Sequence, residues 1–208
     1  MEKRNEHKII LDLCGGTGKW SEPYKLAGYD VKVITMPEHD LFSYFEYVNF
    51  INDIYGILFA PTCTMFSRAR TTAKTPRDLK LGMRLVDRGM FIIQNVMTNP
   101  GSNLKFWAME NPCGYLRKII GKPPLTFDPM DYGANYSKKT DLWGFYNIPK
   151  KKPYILNERE RALCAINNRE LPKLPEGYIL PNDFRPQQAR RSMTDEYFAR
   201  AFFKANKV

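Results

Sequence analysis

The apolar positions of this chain gather into short continuous runs, a pattern that predicts strands buried on both faces. Lys8–Leu13, Ile54–Phe59 and Leu104–Met109 are runs of this kind, and Tyr29–Thr35 reads as a fourth. A different period appears from Asp78 to Thr98. There Leu79, Met83, Val86, Met90, Ile93 and Met97 recur at alternating steps of four and three, which predicts a long helix laying one apolar face on a sheet. Asn99-Pro100-Gly101-Ser102 ends it. Lys19–Ala27 predicts a shorter helix with Pro23 in its first turn. Thr194–Ala205 predicts a closing helix with Thr194 as N-cap and Tyr197, Phe198, Ala201 and Phe202 on its apolar face. Leu41–Phe50 is expected to form a short helix and loop. Leu125–Met130 and Ser137–Phe145 are expected to be further strands, with a turn at Asp131-Tyr132-Gly133. Residues 147–190 are irregular, basic and proline-rich, with room for one short helix near 158–166.

Strands alternating with helices predict an α/β fold: a mostly parallel central sheet with helices on both faces, in a single domain over 1–208. A chain of 208 residues can bury a core without staples. Its formal net charge of +10 favours a polyanionic partner, with nucleic acid the natural class. The four cysteines, at 14, 63, 113 and 164, are far apart and form no Cys-x-x-Cys pair. That is neither a disulfide framework nor a zinc pattern, so no metal is expected and a reducing cytoplasm fits. The charged start runs directly into a strand, unlike a signal peptide, and no apolar run approaches the roughly 18 residues that span a bilayer.

Three turns carry candidate chemistry. Cys14-Gly15-Gly16-Thr17-Gly18 follows the first strand, where glycines let backbone approach a ligand and a helix start offers N–H groups. It lacks the Lys-Ser/Thr ending of a P-loop, because Trp20 follows Lys19. Cys63 follows the third strand, in Ala60-Pro61-Thr62-Cys63-Thr64-Met65-Phe66-Ser67. On position alone it is equally a packing cysteine or a nucleophile, and Arg68 and Arg70 would favour its thiolate. Glu110 leaves a later strand beside Trp107 and Met109, where desolvation would raise its pKa. Arg68, Arg70, Lys74, Arg77 and Lys80 make the connection after Cys63 a basic loop suited to phosphates.

Taken together these residues resemble the cytosine-5 DNA methyltransferases. Asp12-x-x-x-Gly16-x-Gly18 is similar to methyltransferase motif I (Asp-x-x-x-Gly-x-Gly), and Asp40 to the motif III aspartate. Pro61-Thr62-Cys63-Thr64-Met65-Phe66-Ser67 keeps the Pro, Cys, Phe and Ser of motif IV (Pro-Pro-Cys-Gln-Gly-Phe-Ser). Glu110-Asn111-Pro112 resembles motif VI (Glu-Asn-Val). Tyr132–Thr140 resembles motif VIII with lysines for arginines, and Ser192–Phe202 resembles motif X.

The resemblance implies a Rossmann-like class I methyltransferase fold, S-adenosylmethionine as cofactor and DNA as substrate. It implies catalytic roles for Cys63 and Glu110, with Asn111 orienting the loop. Cofactor contacts would come from Asp12, Leu13, Cys14, Gly15, Gly16, Thr17, Gly18, Trp20, Asp40, Leu41 and Pro61. Substrate contacts would come from Ser67, Arg68, Arg70, Lys138 and Lys139. A setting in the cytoplasm of a bacterial or phage-infected cell follows from the same resemblance.

Two departures stand out. The second strand ends in Met36-Pro37-Glu38 where the family carries a ribose-binding acid. Only about forty residues lie between Trp143 and Arg185, too few for the usual recognition domain. Sequence recognition would then rest on basic loops or on a protein partner. Three alternatives stay open: an RNA or nucleotide cytosine or uracil methyltransferase, with Cys113 as a second cysteine; an amino-methyltransferase, from Asn111-Pro112-Cys113-Gly114-Tyr115; and a methyltransferase-like binding protein without turnover.

Overall fold

The structure, a computed structural model, describes residues 5–68, 75–153, 155, 173–180 and 185–207. Six strands form one sheet in the order β2-β1-β3-β4-β6-β5. They are β1 (Ile9–Leu13), β2 (Asp30–Ile34), β3 (Ile54–Phe59), β4 (Phe106–Pro112), β5 (Leu125–Phe127) and β6 (Thr140–Phe145). The first four run parallel, and β6 is antiparallel to both β4 and β5. The chain is thus an α/β protein with a Rossmann-like, mostly parallel sheet. The helices are α1 (Glu22–Leu26), α2 (Leu79–Thr98), α3 (Leu116–Ile119), α4 (Pro186–Ser192) and α5 (Glu196–Asn206).

Strand alternation divides the core between the two faces of the sheet. Leu11, Leu13, Ile57, Phe59 and Met109 pack against Val86, Ile92, Ile93 and Val96 of α2. Ile10, Leu58, Phe106, Ala108 and Leu142 face Tyr24 of α1 and Phe198 and Phe202 of α5. β3 carries an irregularity that the apolar run conceals. Ile9 pairs with Ile54 but Ile10 pairs with Gly56, so Tyr55 is an extra residue. Ile54 and Ile57 therefore share one core although they are three apart.

Several boundaries differ from the expected ones, each for a local reason. Along α2, Val96 is buried and Met97 is 53% exposed, because the 3.6-residue period rotates the stripe by the last turn. The closing helix is capped by Asp195, whose carboxylate accepts from the Phe198 N–H at 3.0 Å, rather than by Thr194. Its buried face is Phe198, Ala199, Phe202 and Asn206, while Tyr197 is largely exposed. The strand expected from Ser137 begins only at Thr140, because Asp128 accepts from the Ser137 hydroxyl and the Lys138 N–H and holds that stretch off the ladder. The expected strand to Met130 likewise stops at Phe127, where the same Asp128 caps a 3-10 turn over Pro129–Tyr132. Leu41–Phe50 contributes its helical part later than expected, as a 3-10 segment at Glu46–Asp53. The short helix near 158–166 lies outside the described residues. No helix among the described residues is long and apolar enough to cross a membrane.

Candidate active site

Sheet order decides which chain segments meet. From β1 the chain moves outward to β2, then returns to place β3 on the other side of β1. That reversal opens a crevice at the carboxyl ends of β1 and β3, where open α/β sheets bind ligands. β4 runs parallel to β3 and ends at the same edge. β6 runs the other way, with Thr140 opposite Pro112, so the residues just before it, Lys138 and Lys139, arrive there as well.

At the end of β1 the turn is built around Asp12. Its carboxyl group is fully buried and accepts from the Ser21 hydroxyl at 2.5 Å, while Oδ1 has no hydrogen-bond partner among the described residues. A Cβ on Gly15 would lie 2.4 Å from the Asp12 carboxyl carbon, so only glycine allows the chain to cross directly over that acid. Cys14, Gly16 and Gly18 have left-handed φ of 56°, 55° and 68°. The N–H groups expected free at the helix start are partly used inside the turn: Glu22 donates to Gly18 and Lys25 to Ser21, and Ser21 lends its hydroxyl to Asp12 rather than capping α1.

Asp40 is exposed, but its charge reaches Cys14, whose thiol is pushed up to about 12 by burial and by Asp12 and Asp40. Leu13 and Trp20 flank the same turn in sequence, and Leu41 follows Asp40. All three side chains are core, and Trp20 packs at 6.1 Å from Phe198 and 5.5 Å from Phe202, joining the closing helix to this turn. Tyr178, which sequence reasoning did not single out, has its hydroxyl 4.0 Å from where a Gly16 Cβ would stand, and the Glu38 charge acts on it. A tyrosine in an irregular segment more than 150 residues downstream carries no local signal of that contact.

Burial pushes the Asp12 carboxyl up to about 7. The sign follows from linkage. In the unfolded chain Asp12 loses its proton near pH 4, whereas the folded chain holds it to about 7, so its contribution is most favourable below pH 4 and is lost as pH rises through 7. Asp12→Asn is therefore expected to gain stability over the natural chain by up to about 4 kcal/mol at pH 8, with little gain at pH 4. Urea unfolding at the two pH values measures this, and an equal difference at both would refute it.

Cys63, a half-buried residue, opens a three-residue 3-10 turn, Cys63–Met65. Its carbonyl accepts from Phe66 and Ser67 at 2.9 and 2.8 Å. Burial raises the thiol pKa, Lys138 lowers it and Glu110 raises it, so the three groups act on one another across the crevice. Among the described residues, the cation whose charge reaches Cys63 is thus Lys138. Arg68 acts instead on Cys113, and Arg70 and Lys74 lie outside the described residues.

Glu110 and Asn111 belong to β4 itself rather than to a turn beyond it. Glu110 is 7% exposed and its pKa is raised by burial, with Lys138 opposing. The apolar surroundings differ from the expected ones. Trp107 and Met109 point to the α2 face, whereas Glu110 shares the opposite face with Phe106 and Ala108. Asn111 is fully buried and its amide donates to the Pro61 carbonyl at 2.9 Å, tying β4 to the start of the Cys63 turn. Gly114 closes the other side. A Cβ there would lie 2.3 Å from the Phe66 carbonyl oxygen, and this contact lets Ser67 bridge to Gly114 and the Tyr115 N–H reach Phe66 at 2.9 Å.

Cys113 is turned to another task. Its thiol donates to Asp141 at 3.1 Å, and Arg117 clamps the same carboxylate through Nε at 2.8 Å and through Nη2. Thr126 also donates to Asp141, at 2.8 Å. Burial raises the Asp141 pKa, but these donors outweigh it and hold the carboxyl below the usual range. Lys139 is exposed, and its carbonyl accepts from the Cys113 N–H at 3.0 Å. Among the described residues no cluster of His, Cys, Asp and Glu is arranged to hold a metal ion.

No protein-family model matches this sequence, and no curated protein matches it either. Among solved structures the chain is similar to a DNMT2 mutant of Spodoptera frugiperda, with 15% identity and a TM-score of 0.41, over 72% of this chain and 55% of that one, so that the chain spans little more than half of that structure's length.

Proposed function

We propose that this protein is a methyltransferase that transfers a methyl group from S-adenosylmethionine to carbon-5 of cytosine in DNA. The observation that carries the reading is the meeting of Cys63 and Glu110 at one sheet edge, with Lys138 acting on both and Asn111 bonding the two elements together. The cofactor end rests on the β1 turn. Its left-handed glycines, the Asp12 Oδ1 beneath it, unpaired among the described residues, and the Asp40 charge beside it suit a polar ligand lying across Gly15–Gly18. Bound there, S-adenosylmethionine would supply an electrophilic methyl group.

The chain's own residues do the rest. Cys63 Sγ bonds to carbon-6 of the ring, which makes carbon-5 nucleophilic. Glu110 holds a proton at the ring nitrogen and stabilises the charge that develops there. After methylation a water molecule takes the carbon-5 proton, the electrons of that bond re-form the ring double bond, and the carbon–sulfur bond breaks, freeing the Cys63 thiolate. Arg68, Lys138 and Lys139 are proposed to meet backbone phosphates, and a base in duplex DNA must first leave the stack.

DNA containing 5-fluorocytosine tests the proposal, because fluorine at carbon-5 blocks the final proton loss. A covalent adduct on the Cys63 peptide is expected when S-adenosylmethionine is present. No adduct, with cofactor binding demonstrated by calorimetry, would refute it.

The active protonation state pairs a Cys63 thiolate with a protonated Glu110. Both groups titrate above their ordinary values, with burial the leading cause. The rate should fall below the Glu110 pKa and above the Cys63 pKa. Glu110→Gln is expected to lower kcat by roughly 10²-fold or more and to leave a single limb that rises with Cys63 ionisation. A bell-shaped profile surviving in Glu110→Gln would remove Glu110 from the mechanism.

A further inference from the structure

The Cys63 turn is a single 3-10 turn with no side-chain cap, and such short turns are held by their surroundings rather than by themselves. Three consecutive carbonyls leave it, from Met65, Phe66 and Ser67. The Tyr115 N–H holds the middle one. Both flanking ones are held by a single side chain: Arg77 donates through Nη1 to Met65 and through Nη2 to Ser67, the latter at 3.0 Å. The same guanidinium lies 4.6 Å from the centre of the Tyr115 ring. Arg77 immediately precedes Asp78, the N-cap of α2, and Gly82 of that helix packs on Met65 and Phe66. Its neighbours in sequence make it look like one more loop cation for phosphate, yet at least two of its donors are spent on protein carbonyls and its flat face on an aromatic ring.

We propose that Arg77, seated on Tyr115, is a positioning residue that sets the location of the Cys63 thiol. The assignment rests on the reading of Cys63 as nucleophile. Only arginine meets the demand: two donors in a rigid plane that also stacks, where lysine offers a single mobile ammonium. With Asn111 holding Pro61 ahead of the turn and Arg77 holding Met65 and Ser67 behind it, the nucleophile is fixed from both sides. Loss of the rear tie lets the turn drift, and misplacement by about 1 Å costs on the order of 10²-fold in rate.

The test compares Arg77→Lys, Tyr115→Leu and Tyr115→Phe with the natural chain. Arg77→Lys and Tyr115→Leu are expected to lose about 10²-fold in kcat while calorimetric affinity for S-adenosylhomocysteine changes less than about three-fold, and Tyr115→Phe, which keeps the ring, is expected to retain the natural rate. Iodoacetamide labelling, followed by peptide mass spectrometry, reads the same tie without methyl transfer. Cys63 should label about five-fold faster in Arg77→Lys, with its pH midpoint moved down, because water entering the loosened turn relieves the burial that raises the thiol. Labelling of Cys63 at the natural rate and midpoint in Arg77→Lys overturns the positioning role. If the natural chain transfers no methyl group, the proposed function fails, and labelling still decides the fate of the clamp.

Discussion

Cys63→Ala is expected to reduce methyl transfer more than about 10³-fold, since Cys63 is the group proposed to form the bond to carbon-6. The protein should otherwise survive. Cys63 as a residue is half-buried and the turn is held through its backbone carbonyls, so stability should change by less than about 1 kcal/mol. Cofactor affinity, proposed to rest on the turn after β1, should stay the same by calorimetry. Cys113→Ser is the informative companion. A serine hydroxyl can still donate to Asp141, so its activity should stay near that of the natural chain. If Cys113→Ser were inactive and Cys63→Ala active, the nucleophile would be reassigned. If both were inactive with folding intact, the two-cysteine chemistry of RNA methyltransferases would be favoured over the DNA type.

Arg117→Met should produce the largest loss of stability, about 3–5 kcal/mol at pH 7 by urea unfolding. Asp141 is fully buried on β6 and Arg117 gives it two charge-assisted bonds. Methionine fills similar space but leaves a buried carboxylate with only neutral donors, Cys113 and Thr126. The pH dependence follows from the lowered pKa of Asp141. In the natural chain the stability it contributes is present above its unfolded pKa, near 4, and is lost as pH falls through the folded one. In Arg117→Met the remaining burial raises that pKa instead, so the penalty should shrink on going from pH 7 to pH 4, where a protonated acid can sit uncharged. A penalty below about 1 kcal/mol at pH 7, or one that grows toward pH 4, would show that the pair contributes little. Asp141 also lies three residues beyond Lys138, so Arg117→Met should disturb the crevice along with the fold.

Local pattern explains why much of this was readable beforehand. Ile9–Leu13 and Ile54–Phe59 are buried at every position, as strands covered on both faces are, and apart from Asp12 the sequence of both runs shows it. The long helix, the glycine turn after Asp12 and the turn bearing Cys63 were readable for similar reasons, because each depends on residues within a few positions of one another. Strand boundaries near Asp128 were less so. One aspartate accepting from Met130, Ser137 and Lys138 overrides the β-tendency on both sides, and nothing in the composition announces it.

By itself, then, the sequence determined the four parallel strands, the long helix and the closing helix, and the presence of an acid-glycine turn, a turn cysteine and a strand glutamate; it did not reveal the short helices at Leu116–Ile119 and Pro186–Ser192. Those properties come from period and local stereochemistry. Tertiary structure alone decided the company each residue keeps. The reversal of β6 brings Lys138, not Arg68, into electrostatic reach of Cys63 and Glu110. The pairing of β4 with β6 commits Cys113 to Asp141, and the approach of α2 and Tyr115 turns Arg77 from a loop cation into a tie across the Cys63 turn. These are contacts between residues distant in the chain. They depend on strand order and direction, for which the period of a single strand carries no information.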